Sequence, residues 1–186
     1  MSELPPRNAA GEPPAQGLYD PAYEHDSCGV GFIVHIKGQK SHQIVRDALT
    51  MLENMEHRGA CGCEPNTGDG AGILVQVPDK FLRREMAKQG VTLPPVGQYG
   101  VASVFLPRDE KERAECERGL ENVVRAEGQK VLGWRTVPAD SKGADVGPTA
   151  LAVEPVFKHL FIGRDPSIKD DLAFERKLFV IRRVAS

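Results

Sequence analysis

The sequence changes character abruptly at Cys28, and this boundary constrains the fold more than any other feature. Residues 1–27 contain five prolines and almost no branched apolar side chains, a composition that predicts an extended or disordered lead-in. From Cys28 onwards, apolar side chains occupy alternate positions, namely Val30, Phe32, Val34 and Ile36. A period of two residues is typical of a strand with one buried face. The folded part of the chain is therefore expected to begin at Cys28.

Helical and strand-like patterns alternate through the rest of the chain. The predicted helices span about 41–56, with Ser41 as the cap, and then 78–89, 109–127 and 170 to the end. The predicted strands span 28–36, 73–77, 99–106, 130–137 and 153–162. This order is typical of a mixed α/β or α+β domain. The last helix reaches the end of the sequence without a glycine cap, so we expect a truncated chain with exposed apolar residues there, including Leu178, Phe179 and Ile181.

Length and charge exclude several classes of function. The chain has 186 residues, enough for one domain, and a net charge of −2. It therefore has no overall basic field that would attract nucleic acid or an anionic membrane. No apolar run approaches the ~20 residues that span a bilayer, and the N-terminus lacks the pattern of a secretory signal. We expect a cytoplasmic protein with neither nucleic acid nor membrane as a partner.

The four cysteines, Cys28, Cys61, Cys63 and Cys116, do not predict disulfides, because an intracellular compartment keeps thiols reduced. Cys61 and Cys63 are separated by one residue, which is tighter than the spacing in zinc knuckles, and no second Cys/His pair follows. We therefore predict no metal site, although a noncatalytic metal or redox module that uses Cys61 and Cys63 is kept as an alternative. Cys116 lies in a charged helical stretch and is expected to have no chemical role.

Cys28 is the best candidate for a nucleophile. Cleavage after Ser27 would leave a thiol and an α-amine on one residue, and the α-amine pKa of about 7.7–8.0 suits a general base at neutral pH. Gly29, which has no side chain, would leave room for a ligand. The alternative is a small buried cysteine at the start of a strand. The residues alone leave both interpretations open.

A second candidate site follows the first predicted helix. Arg58, followed by Gly59, could bind a carboxylate in a bidentate manner, or it could be a solvated arginine at a helix C-terminus. The glycine cluster at 68–72 precedes a strand and lacks a following Gly-Lys-Ser/Thr, which argues against a phosphate loop. A turn beside a pocket fits the cluster better.

Three segments, in this order, closely resemble the start of the large subunits of the glutamate synthase family. They are residues 23–32 (YEHDSCGVGF), 52–64 (LENMEHRGACGCE) and 67–73 (TGDGAGI). The resemblance continues more weakly at 99–101, 105–107, 133–135 and 174–178, so that it covers the chain from about Tyr19 to Ser186.

The resemblance implies a class II glutamine amidotransferase with an α+β fold, a partial N-terminal-nucleophile (Ntn) hydrolase α/β/β/α sandwich. Residues 1–27 would be a propeptide, and residues 28–186 the N-terminal half of the domain. Cys28 would attack the side-chain amide of glutamine, release ammonia and form a glutamyl thioester that water hydrolyses. The residues carried over to the substrate pocket are Arg58, Gly59, Gly70, Ala71 and Gly72.

The family's remaining substrate-binding residues and its oxyanion-hole Asn-Gly pair lie beyond this sequence, so the isolated fragment is expected to be inactive. No cofactor is expected in this segment, whereas FMN and an iron–sulfur cluster are expected in the full-length enzyme, which forms glutamate from 2-oxoglutarate and ammonia. The implied partners are glutamine, the remainder of the large chain, and a small electron-transfer subunit or ferredoxin. NADPH, NADH and ferredoxin stay open as electron donors, and another class II amidotransferase or Ntn hydrolase stays open as an alternative.

Overall fold

The structure, a computed structural model, describes residues 14–21, 29–55, 64 and 70–185. These residues fall into two compact units, one within residues 1–74 and the other within 75–186. The first unit is built around a helix and the second around a three-stranded sheet. Within the described ranges, no helix has both the length and the apolar character needed to cross a membrane.

The first unit contains helix α1, which spans His42–Asn54. Its N-cap is Ser41, as predicted, because the Ser41 hydroxyl accepts a hydrogen bond from the backbone N–H of Ile44 at 3.4 Å. The helix ends slightly earlier than predicted, with Met55 as its C-cap. Closer to the N-terminus, two reciprocal backbone hydrogen bonds join Gln16 and Tyr19.

Two predicted strands, 28–36 and 73–77, are wrong for the residues that the structure describes. Residues 29–40 and 70–78 contain no strand, and the alternate apolar side chains of the first segment are exposed, with Phe32 at 87% and Ile36 at 98%. A strand needs a hydrogen-bonded neighbour, and the strands of the described sheet pair only with one another. The alternation therefore shows which side chains could be buried together on one face. It does not show whether a partner strand is present to pair with the segment.

The second unit has α+β architecture, which confirms the predicted class. Its elements in chain order are α2 (Asp79–Ala87), β1 (Tyr99–Leu106), α3 (Glu110–Ala126), β2 (Lys130–Thr136), α4 (Pro148–Val153), β3 (Val156–Gly163) and α5 (Asp171–Ala185). All but α4 confirm predicted elements, with small differences in their bounds. Helix α4 has no counterpart in the prediction; it begins at Pro148, a residue that suits the first turn of a helix.

Strand β3 lies at the centre of an antiparallel sheet with the order β1-β3-β2. Successive side chains of a strand point to opposite faces. On one face, Leu160 packs with Val124 of α3 and Ile181 of α5. On the other face, Phe161 packs with Leu82 and other residues that lie on or near α2. The sheet is therefore covered by α3 and α5 on one side and, toward the Tyr99 end, by α2 on the other.

A polar network ties the start of α2 to β1. Asp79 accepts hydrogen bonds from the Tyr99 hydroxyl at 2.8 Å and from the Arg83 guanidinium at 2.9 Å. Arg83 also donates to the backbone carbonyls of Leu93 and Pro94. Burial of Tyr99 and its bond to Asp79 raise the pKa of the phenol to about 12. Tyr99 is therefore a neutral donor throughout the physiological pH range.

Strand β2 requires glycine at one position. Its register with β3 shifts between Val131 and Gly133, which marks a bulge. Gly133 has a φ of +154°, and a Cβ there would lie 3.3 Å from Cε of Met86 on α2. A side chain would therefore meet both backbone strain and crowding from the helix.

Helix α5 corrects one expectation about exposed apolar residues. Ile181 is 3% exposed and Leu178 packs against the cluster between the sheet and the helices, so these two residues are covered. Phe179 is 62% exposed, as expected. The difference follows from helical geometry, since Leu178 and Ile181 share a face three residues apart whereas Phe179 points away from it.

We expect the unit to depend on Phe161 far more than on Phe105, which is 69% exposed on the neighbouring strand, whereas Phe161 is fully buried. Phe161→Ala should lower the free energy of unfolding by about 3–5 kcal/mol, because it leaves a cavity between the sheet and α2. Phe105→Ala, the matched control, should cost about 1 kcal/mol or less. Urea denaturation followed by tryptophan fluorescence measures both changes, and equal losses would contradict the assignment of the core.

Candidate functional site

The structure reaches only part of the predicted site. Cys28, Arg58 and Gly59 lie outside the described residues, as do Cys61 and Cys63. Gly70, Ala71 and Gly72 are described, and all three are exposed. The roles of these residues therefore stay predictions, and the geometry that bears on them comes from their described neighbours.

The glycines at 70 and 72 are not forced by their described surroundings. Neither has a positive φ. Within the described part of the chain, no heavy atom lies within 4 Å of the place that a Cβ would take at Gly70 or Gly72. The close approach predicted for this turn is therefore not seen among these residues, and a place in the pocket stays a prediction.

The segment that follows Cys28 lies directly on helix α1. A Cβ added at Gly29 would lie 2.8 Å from Sδ and 3.5 Å from Cβ of Met55. A Cβ at Gly31 would come closer still to Sδ of Met51. Met51 and Met55 are four residues apart and so share one face of the helix. The space at Gly29, which the sequence assigns to a ligand, is thus occupied by a methionine.

This contact joins the two stretches of sequence that carry the predicted chemistry. Gly29 follows Cys28 directly, and Met55 is three residues before Arg58. A glycine at position 29 lets backbone and helix approach to a separation that any side chain would prevent. The sequence analysis did not identify the packing of Met51 and Met55 on this segment. The available signal was a pair of glycines two residues apart and a pair of methionines four residues apart.

His35 is described close to this segment, and its ring has a local structural role. The Nδ1 atom of His35 accepts a hydrogen bond from the backbone N–H of Gln39 at 3.3 Å, which helps to close the turn at 36–38. This hydrogen bond gives His35 a structural role in the turn.

The second unit contains an open depression of about 560 Å³ between the loop after β2 and helix α4. The Ser141 hydroxyl donates to Glu154, and Glu154 also pairs with Arg108 at 3.2 Å. This arrangement fastens the loop to the end of α4 and to the chain after β1. Both contacts of Glu154 hold neighbouring segments together, so we assign them a structural role.

Other titratable groups of this unit with shifted pKa values serve the fold. The Trp134 indole donates to Glu121 at 2.9 Å and lowers the pKa of that carboxyl. The Ser167 hydroxyl and backbone N–H donate to Asp165 and lower its pKa.

Cys116 is exposed on α3. Within the described ranges, no group of three or more His, Cys, Asp or Glu side chains could hold a metal ion.

Comparison with known proteins places the chain in a family. Residues 28–186 match the family described as Glutamine amidotransferases class-II. The chain belongs to this family.

Relatives with curated descriptions include glutamate synthases. The chain is 47% identical over 173 residues to the glutamate synthase [NADPH] large chain of Bacillus subtilis. This match covers 93% of the present chain and 11% of the relative. It is 43% identical to the glutamate synthase [NADH] of Schizosaccharomyces pombe, covering 97% and 9%. It is 38% identical to the chloroplastic ferredoxin-dependent glutamate synthase of Oryza sativa subsp. japonica, covering 98% and 11%. The chain thus spans about a tenth of the length of these relatives.

The contact between the 29–31 segment and α1 can be tested by adding a side chain at one of its glycines. Gly31→Val should destabilise the first unit by about 1–3 kcal/mol, because the new side chain must displace Met51. Gly70→Val is the matched control and should change stability by no more than about 0.5 kcal/mol, since space at that position is open. Hydrogen–deuterium exchange of the α1 amides measures the effect. Unchanged exchange in Gly31→Val would show that the segment does not depend on this contact.

Proposed function

We propose that the chain is the glutaminase part of a glutamate synthase, in which residues 1–27 are a propeptide and residues 28–186 are the N-terminal half of the amidotransferase domain. The observation that carries the proposal is that the family match starts at Cys28, the residue at which the sequence changes character. The glutamate synthases among the relatives support the larger enzyme.

Cys28 is the nucleophile in this proposal. Its α-amine, free after cleavage, accepts the thiol proton, and the thiolate attacks the amide carbon of glutamine. The tetrahedral intermediate collapses with release of ammonia, whose nitrogen receives the proton, and leaves a glutamyl thioester. Water then cleaves the thioester to glutamate and restores the thiol. The net reaction converts glutamine and water to glutamate and ammonia.

The described contacts support a pocket beside the C-terminal end of α1. Met55 packs against the backbone of Gly29, so the helix fixes the chain immediately after Cys28. The same helix end leads directly to Arg58 and Gly59. We assign Arg58 and Gly59, with Gly70, Ala71 and Gly72, to the wall of the glutamine pocket. Packing of α1 on Gly29 restricts the backbone next to the proposed nucleophile, and a restricted backbone favours a fixed attack geometry.

The three-stranded sheet supports the Ntn hydrolase sandwich as the complete fold. Helices α3 and α5 cover one face of the sheet, which is the arrangement of one outer helix layer and one sheet layer. The opposite face is covered by α2 only toward the Tyr99 end, and Phe105 at the other end is 69% exposed. A second sheet packed on this face would bury such apolar residues.

The proposed whole enzyme transfers the ammonia to 2-oxoglutarate in the cytoplasm and uses FMN and an iron–sulfur cluster outside this segment. The described residues offer no set of metal-binding side chains, so we assign none of them to the cluster. NADPH, NADH and ferredoxin appear in the names of the relatives and are the proposed alternatives for the electron donor, with a small subunit or ferredoxin as the electron-transfer partner. No observation favours a metal or redox module at Cys61 and Cys63.

Cys28→Ser in the longest polypeptide that carries this chain should lower glutamine-dependent glutamate formation by at least about 10³-fold, because a hydroxyl is a far weaker nucleophile than a thiolate. Glutamate formation from added ammonia should persist. Cys116→Ser, the matched control on α3, should leave both activities unchanged.

Two results would contradict the proposal. The first is glutaminase activity retained in the Cys28→Ser variant, which would transfer the nucleophile to another residue. The second is an active enzyme whose intact mass still includes residues 1–27, because Cys28 would then have no free α-amine to act as the base.

A further inference from the structure

A row of polar side chains crosses the sheet on the face that carries α2. His159 on the central strand lies opposite Ser103 of β1 and opposite Arg135 of β2. Side chains directly opposite each other in an antiparallel sheet project from the same face, with Cβ atoms about 4.5–5.5 Å apart. The imidazole therefore lies between a neutral hydroxyl residue and a cationic one.

The Nδ1 atom of His159 and most of the Arg135 side chain are held away from water. The Nδ1 atom of His159 is buried without a hydrogen-bond partner in the described structure. The ring of His159 meets the ring of Phe161 edge-on at 6.3 Å. Arg135 is 8% exposed, and its guanidinium lies 5.3 Å from the centre of the Phe81 ring on α2. A proton added at Nδ1 of His159 would therefore lie where water does not reach it.

The charges on the packed elements offer little compensation to a charged imidazole. Strand β2 contributes Arg135, strand β1 contributes only neutral Ser103 at this level, and α2 contributes Arg84 and Glu85. Glu85 is shared already, because it pairs with Lys88 at 2.9 Å, with Arg84 at 3.5 Å and with Arg135 at 3.9 Å. Its carboxylate is thus committed to other cations.

We propose that His159 is an acid-sensitive joint of the second unit, at which uptake of a proton in mildly acidic solution loosens α2 from the sheet. A protonated imidazole donates from both nitrogens, so the buried Nδ1–H would lack an acceptor beside a second cation. Arg135 is attached to α2 through Phe81 and Glu85. Repulsion between His159 and Arg135 therefore acts on the contact between the helix and the sheet.

The direction of the pH dependence follows from the same contacts. Burial, and secondarily the neighbouring Arg135, lower the pKa of His159 from the ordinary value of 6.5. The unfolded chain therefore binds more protons than the folded chain between pH 6.5 and the lowered pKa. The contribution of neutral His159 to the free energy of unfolding is fully present above about pH 6.5. It decreases as the pH falls from 6.5 to the lowered pKa of the folded state, and below that pKa this group causes no further loss.

The test compares the full chain at pH 7.5 and pH 5.5 with its His159→Gln variant, whose side chain is polar and does not titrate. Acidification should lower the melting temperature of the wild type by at least about 2 °C more than that of the variant. Hydrogen–deuterium exchange, corrected for its intrinsic pH dependence, should rise more in α2 than in α3, which covers the opposite face. His42→Gln is the control, since His42 is exposed on α1, and it should show the full acid loss of the wild type.

Equal acid losses in the wild type and in His159→Gln would overturn the proposal. So would acid-induced exchange that is no greater in α2 than in α3. If the variant fails to fold, a carbon-13 NMR titration of the histidine rings in the wild type decides. A His159 ring that gains its proton below pH 6.5, together with faster α2 exchange, supports the joint; a ring that titrates at or above pH 6.5 overturns it.

Discussion

The pairing of β3 with both of its neighbours is the interaction on which the second unit depends. Strands β1 and β2 make no ladder with each other, so each is held in the sheet only through β3. The side chains of β3 also supply the centre of both apolar clusters, with Leu160 on one face and Phe161 on the other, each fully buried. Backbone pairing and hydrophobic burial are therefore concentrated in eight residues. Helices α2, α3 and α5 have a surface to pack on only when this strand is in place.

The strands and long helices of the second unit agree with the sequence prediction because local preference and tertiary packing favour the same structure in them. The strand at Tyr99–Leu106 has the predicted bounds, and the helix predicted from about 109 is capped by Asp109, whose carboxylate accepts hydrogen bonds from the backbone N–H groups of Lys111 and Glu112. The same kind of strand pattern gave strands at 28–36 and 73–77, which the described structure does not form. A period of two residues states only which side chains can share a face. Pairing depends on a partner strand far away in sequence, and single-chain periodicity carries no information about it.

For the candidate site, the sequence supplied the identity of the residues and the structure supplied what lies next to them. Cys28 was selected by its place at a boundary and by its chemistry, which need no coordinates. Gly29 illustrates the limit, because an absent side chain indicates a close neighbour without saying whether that neighbour is a ligand or protein. The neighbour is Met55, a contact between residues that are distant in sequence. Such a contact becomes visible only when the chain folds.

The contact between Met55 and Gly29 affects how far movements of α1 reach the segment after Cys28. Because Met55 lies where a Cβ at position 29 would be, the helix and the segment after Cys28 are closer than a residue with a side chain would allow. Methionine has three rotatable bonds and a polarisable sulfur, so small changes in the helix can be absorbed without moving that backbone. A β-branched residue at position 55 would be stiffer and would transmit each shift of α1 directly to the segment. Met55 is therefore a compliant neighbour for the backbone of Gly29, and small motions of α1 need not reach that backbone.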